Sequence, residues 1–282
     1  MSILSFCCED AFHAVSRAPQ VGRLKWRANA DYAELDSLAC ARCSRYGAAP
    51  MHQWPAAVLF DFDGVLVNSE PLHFQAFREV LAAEHIDLGE DEYYRELIGF
   101  DDKGAFRHLY QKRNLDLPPK TFLALMARKS RVMMDLIFRK QFSALPGVEQ
   151  FVRSLWRRSP LAICSGALRE EIEAMLEGIS LRDCFSVIVA AEDVTVGKPD
   201  PSGYLMTAKL ISQKVGRELE PRDFLIVEDA PTVIRSVRGV GFPTLAVATS
   251  YAPEKLTDAN WVVKTLEPQE VRRTVPELKL DI

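Results

Sequence analysis

Five short apolar runs punctuate the chain after residue 55: AAVLF (56–60), LAIC (161–164), SVIVAA (186–191), FLIV (224–227) and TLAVA (244–248). Each is continuous rather than alternating, the pattern of a strand covered on both faces. Between the later runs lie stretches of helical length with apolar residues on one side. They read GVEQFVRSLWRR (147–158), LREEIEAMLEG (168–178), PSGYLMTAKLISQK (201–214) and PTVIRSVRGV (231–240). Strand and helix alternating at this spacing predict an α/β fold, a doubly wound, Rossmann-like parallel sheet.

The alternation breaks between the first and second runs. Residues 69–145 contain no strand-like run but four helical segments, EPLHFQAFREVLAAE, DEYYREL, KGAFRHLYQKR and KTFLALMARKSRVMMDLIFRKQ. In the last, Phe122, Leu125, Met126, Met133, Leu136 and Ile137 keep a stripe at helical spacing, read as core. The expected organisation is a core domain of residues 51–68 and 146–282 with a small all-α cap inserted at 69–145. A cap entering directly after the first strand would hang over that strand's carboxyl end, as a lid does.

Residues 1–50 keep neither the helical nor the strand period and are expected to be a disordered extension. Cys40 and Cys43 form a CxxC, and Cys7 with Cys8 could add two thiolates for zinc. Their separation matches no standard zinc spacing, so they are read as ordinary thiols. Glu9, Asp10, Asp31, Glu34 and Asp36 argue against an organelle transit peptide.

The residues just beyond each apolar run carry the chemistry. The first run ends in DFDG, the second in SGA, the third in EDVTVGKPD and the fourth in EDA. Ligands of open α/β sheets bind just beyond the carboxyl ends of the strands. Side chains alternate along a strand, so Asp61 and Asp63 point the same way and Phe62 points oppositely. A turn explains Asp63 before Gly64 but leaves Asp61 without a reason. With Glu228 and Asp229 the rim carries four carboxylates. These call for a hard divalent cation, for which Mg²⁺ is the natural candidate. One carboxylate could then attack a phosphorus atom while its neighbour moves protons. Lys198, Ser165 and the Gly166 backbone suit phosphoryl oxygens.

Bulk properties narrow the partners. The 282 residues are 48% hydrophobic and 26% charged with a formal net charge of -4, which leaves no basic footprint for nucleic acid. No apolar run approaches the ~18 residues a membrane span needs. The core-like settings of Cys164 and Cys184 and the lack of a secretory signal pattern are read as cytoplasmic. The sequence sets no oligomeric state, and a monomer is compatible with it.

The ordered set DFDGV, the Ser165 of ICSGA, the Lys198 of GKPDP and the Glu228-Asp229 of VEDA resembles the four motifs of the haloacid dehalogenase superfamily over residues 56–252. The position and length of the insertion resemble the helical cap of the subgroup of β-phosphoglucomutase and sugar-phosphate phosphatases. The resemblance implies that Asp61 is nucleophile and Mg²⁺ ligand, and that Asp63 is general acid/base with its carbonyl on the metal. It further implies that Ser165, Gly166 and Lys198 hold the phosphoryl group and that Glu228 and Asp229 complete the metal site. His73 falls where mutase-like members carry a substrate-contacting histidine, though a helix-face histidine packed on the core reads equally well. Gly99 matches the cap-loop turn. The lysine and arginine that flank that turn in the mutase are here Ile98 and Asp102, with Lys103 a neighbouring substitute.

An aspartate facing a second phosphate is repulsive, which favours a Mg²⁺-dependent phosphatase of a small phosphorylated metabolite, a sugar phosphate before others, working through an aspartyl-phosphate, over a hexose-phosphate mutase. A non-catalytic binding protein on the same fold is the reading of another class.

Overall fold

The computed structural model describes residues 54–98 and 100–280. The extension 1–50, with Cys7, Cys8, Cys40 and Cys43, and the cap-loop Gly99 lie outside the described residues. Among the described residues six strands form one parallel sheet in the order β3-β2-β1-β4-β5-β6. They are β1 (Ala57–Phe60), β2 (Leu161–Cys164), β3 (Phe185–Val189), β4 (Phe224–Glu228), β5 (Thr244–Val247) and β6 (Trp261–Val263). Five of them lie on the five apolar runs. No sequence expectation covered β6, a three-residue edge strand whose Trp261 packs on Trp54 with ring centroids 5.6 Å apart.

Strand alternation sorts the core into two layers. Val58 and Phe60 face one side with α5 (Val148–Trp156), α6 (Arg169–Gly178) and α9 (Pro268–Thr274). Ala57 and Leu59 face the other with α7 (Ser202–Val215) and α8 (Pro231–Gly239). All four β1 residues are fully buried, and covering Val58, Leu59 and Phe60 contributes roughly 1.5–3 kcal/mol each.

Between β1 and β2 run α1 (Glu70–Ala82), α2 (Glu90–Glu96), α3 (Asp102–Lys112) and α4 (Pro119–Phe138). They enclose a cluster of their own that includes Phe74, Phe77, Tyr93, Phe106, Leu109 and Leu125. Helix α4 belongs to two cores: Leu125 packs in the helical cluster, whereas Met133, Met134, Leu136 and Ile137 pack with the sheet. Phe122 and Met126, read from the sequence as core, are half-buried against the helical cluster. The chain leaves and re-enters the sheet domain through two adjacent connectors. Asn68 N–H donates to the Ser143 carbonyl at 3.3 Å and Leu145 N–H to the Leu66 carbonyl at 3.1 Å.

Gly147 caps α5 with φ at +80°, and a Cβ there would meet the Glu267 backbone nitrogen at 2.2 Å. Strain and a clash with fixed backbone coincide, so Gly147→Ala is expected to lower stability by about 2 kcal/mol or more. A urea midpoint unchanged from wild type would refute that close approach.

Candidate active site

Asp61 comes directly after β1 and extends its ladder, its N–H donating to the Val227 carbonyl at 2.9 Å. The chain then turns tightly. The Phe62 carbonyl accepts from the amides of Leu66 at 2.8 Å and Val67 at 3.2 Å. Gly64 sits in this turn at φ +77°, where a Cβ would lie 2.2 Å from Oδ2 of Asp229. Glycine is needed there both for the backbone and for the close passage of that carboxylate. Asp229 in turn accepts from the Ser250 hydroxyl.

One oxygen each of Asp61, Glu228 and Asp229 lies within 4.8 Å of the others, a set of hard donors that suits Mg²⁺. Glu228 is fully buried and immobilised: its Oε2 accepts the amides of Asp229 and Ala230, both at 2.7 Å. Lys198 supplies the counter-charge, its Nζ donating to Asp61 Oδ1 at 2.6 Å and Glu228 Oε1 at 2.8 Å. It also reaches the Tyr204 hydroxyl at 3.1 Å. Burial works against the ammonium, but Asp61 and Glu228 outweigh it and hold Lys198 well above its ordinary pKa. Burial pushes Asp61 up to about 7 despite Lys198. Asp229 is likewise held high, by burial first and then by Glu228 and Asp61. Carboxyls held this high lack sufficient positive charge, and a divalent cation would supply it.

Asp63 stands apart from that cluster. Its Oδ1 accepts the Ser69 hydroxyl. Burial raises its pKa over the opposing effects of Ser69, Lys129 and Lys198. Of the four rim carboxylates of the sequence reading, three therefore converge and Asp63 is not among them. Ser165 is buried after β2, its Oγ accepting the Ala167 amide at 3.0 Å, so its own O–H is free to donate. Gly166 beside it is exposed.

From the helical side come His73 on α1, Asp102 on α3 and Lys129 on α4. Lys129 is fully buried, with Nζ 2.8 Å from His73 Nδ1 and 2.9 Å from Asp102 Oδ2. Burial first, and then the Lys129 charge, hold His73 well below its ordinary pKa. The imidazole is thus neutral, so the 4.0 Å approach of Asp102 is not an ion pair. With Nδ1 accepting from the ammonium, the ring proton is assigned to Nε2. Lys103, the neighbouring substitute in the cap loop, is exposed, whereas Asp102 at the start of α3 reaches the buried Lys129.

Lys129 and Tyr204 were not anticipated. Lys129 left a trace, a lone charge four residues from both Leu125 and Met133 on the apolar stripe. Tyr204 reads as one more apolar position of α7, and Ser69 and Ser250 carry no sequence signal.

The sequence pattern of the haloacid dehalogenase-like hydrolases matches residues 58–247. The chain belongs to that family. Fructose-1-phosphate phosphatase YqaB of Escherichia coli (strain K12) is 30% identical over 200 residues, covering 70% of this chain and 98% of the relative. A phosphorylated carbohydrates phosphatase of Thermotoga maritima is 26% identical over 227 residues, 79% and 99% of the two chains. CbbY from Rhodobacter sphaeroides, solved in complex with phosphate, shares the fold with a TM-score of 0.68 at 22% identity, over 80% of this chain and 99% of that one.

A carboxyl whose folded pKa is raised favours the fold at low pH, and that contribution is lost as pH climbs from the unfolded value near 4 through about 7. Without cation, the Asp61 contribution should therefore lower Tm between pH 5 and 8, within roughly that window. Mg²⁺ at a hundred times its Kd at pH 7.5 should add about 2.7 kcal/mol there, and the same concentration should add less at pH 5.5. Asp61→Asn should remove most of the Mg²⁺-dependent rise. Thermal melts with and without the ion decide it, and an equal rise in the variant would disprove the assignment.

Proposed function

We propose that this hydrolase cleaves the monophosphate of a small sugar with Mg²⁺, through a phosphoryl group carried on Asp61. The class, phosphoric monoester hydrolase, is supported by the family and by relatives whose names are phosphatases. One observation carries the reading: Asp61 belongs to the converging carboxylates, while Asp63, two residues on, stands off them with a raised pKa.

Asp61 attacks phosphorus as the bond to the leaving oxygen breaks, and Asp63 donates its proton to that oxygen. The Asp63 carboxylate then takes a proton from the water that attacks the phosphorus of the aspartyl-phosphate, which releases phosphate and restores both groups. Lys198, the Ser165 hydroxyl and the Gly166 amide balance and orient the phosphoryl oxygens. Mg²⁺ held by Asp61, Glu228 and Asp229, with the Asp63 carbonyl, would neutralise charge on the phosphoryl group.

Residues 69–145 serve as the cap that excludes water. His73 offers its Nε2–H to a substrate oxygen, and its link to Lys129 ties that donor to cap position. Asp102 favours hydrolysis over a mutase cycle. It stands where mutase-like members grip a second phosphate, and it already neutralises Lys129. Buried free Cys164 and Cys184 fit a reducing compartment, and among the described residues no helix is long and apolar enough to cross a membrane.

Phosphate release from a panel of sugar monophosphates is expected to require Mg²⁺. Asp61→Asn should abolish it, and Asp63→Asn should lower kcat by about 10²–10⁴. Conversion of β-glucose 1-phosphate to glucose 6-phosphate with no free phosphate would overturn the reading in favour of the mutase.

A further inference from the structure

Glu171 lies in the first turn of α6, just past the Ser165–Gly166 loop, and is 2% exposed. It is the third residue of a helix whose N-cap is Leu168, and its carboxylate accepts the Leu168 backbone amide. That bond is half of a capping box and accounts for one oxygen. The other, Oε1, is fully covered and has no hydrogen-bond partner. A cap works as well at the surface, and an open buried acceptor is costly. Helix capping therefore leaves the burial of this group and its free oxygen unexplained.

Its surroundings supply a reason. Ile172, Met175 and Leu176 of α6 pack in one cluster with Met133 and Met134 of α4, which brings Glu171 toward Lys129, one turn earlier on α4. Asp63, Glu70, Asp102 and Glu171 all share Lys129 as a counter-charge. Glu171 thus belongs to the seam between the helical segment and the Ser165–Gly166 loop, which on the cap reading parts when a substrate enters. The wall there is acidic, and its charge is only partly balanced.

We propose that Glu171 is a specificity residue for the leaving group. Its Oε1 accepts a hydroxyl of an uncharged, polyhydroxylated leaving group when the cap closes on substrate. Together with Asp102 it turns away leaving groups that carry a second phosphate or a carboxylate. This rests on the phosphatase reading and narrows it to monophosphates of neutral polyols.

The test compares wild type with Glu171→Gln on a sugar monophosphate, the corresponding bisphosphate and p-nitrophenyl phosphate, whose leaving group bears no other hydroxyl. Glutamine keeps the helix cap through its carbonyl and presents an amide donor where Oε1 stood. KM for the sugar monophosphate should rise about tenfold or more, KM for p-nitrophenyl phosphate should stay within about twofold, and preference against the bisphosphate should weaken. Equal losses on both monoesters would make Glu171 purely structural, and no change on either would remove it from the site. A wild type that hydrolyses p-nitrophenyl phosphate but no polyol phosphate overturns this inference and leaves the phosphatase standing. A wild type inactive on every ester overturns both. Urea midpoints identify a variant that fails to fold, in which case Glu171→Met, of similar volume, takes its place.

Discussion

Three carboxylates meet at the ends of β1 and β4, and they can all be ionised there only with positive charge among them. Two like charges ~4 Å apart repel by about 4 kcal/mol at an effective dielectric near 20. Lys198 answers part of this by bridging Asp61 and Glu228, and the amides of Asp229 and Ala230 fix the remaining Glu228 oxygen. That demand shapes the neighbouring residues too. Gly64 must lack a side chain so that Asp229 can pass. Tyr204 must come from a helix on the far face of the sheet to hold the lysine. The residual imbalance, with Asp61 pushed up to about 7, suits these three carboxylates to a cation.

Most of the sheet and the rim of the site were legible in the sequence. Continuous runs such as FLIV are readable because a parallel strand covered on both faces has no polar side to show, and the residues that interrupt them, Asp61 or Glu228, stand out for the same reason. The edge strand β6 escaped because three residues, two of them only half-buried, form no run. Lys129 escaped because patterning counts a lysine as surface, whereas here Asp102, His73 and the Phe77 ring together replace its water. His73 admitted two readings on one helix face, and its contact with Lys129, from a helix far along the chain, carried no signal in the sequence. Gly99 stays an expectation, outside the described residues.

Helix α4 ties the sheet domain and the helical segment together. Its early turns complete the helical cluster and its late turns are part of the sheet's own core, with Lys129 between them at the seam. The helical segment therefore does not ride on flexible tethers: its longest helix is rooted in the same apolar layer as Phe60 and Phe151.

That rooting has a mechanical consequence. Twenty residues of α4 make a rod of roughly 30 Å, held at its C-terminal end beside the paired connectors of residues 66–68 and 143–145. A small rotation at that base is magnified along the rod, by roughly half an ångström per degree at the far tip and half as much near Lys129. A tilt of a few degrees would carry the Lys129 level of the helix by roughly an ångström relative to the sheet, while His73 and Asp102, on helices of the same segment, would move with it. The length of one helix thus sets the leverage with which slack at its root would be felt at the far end of the helical segment.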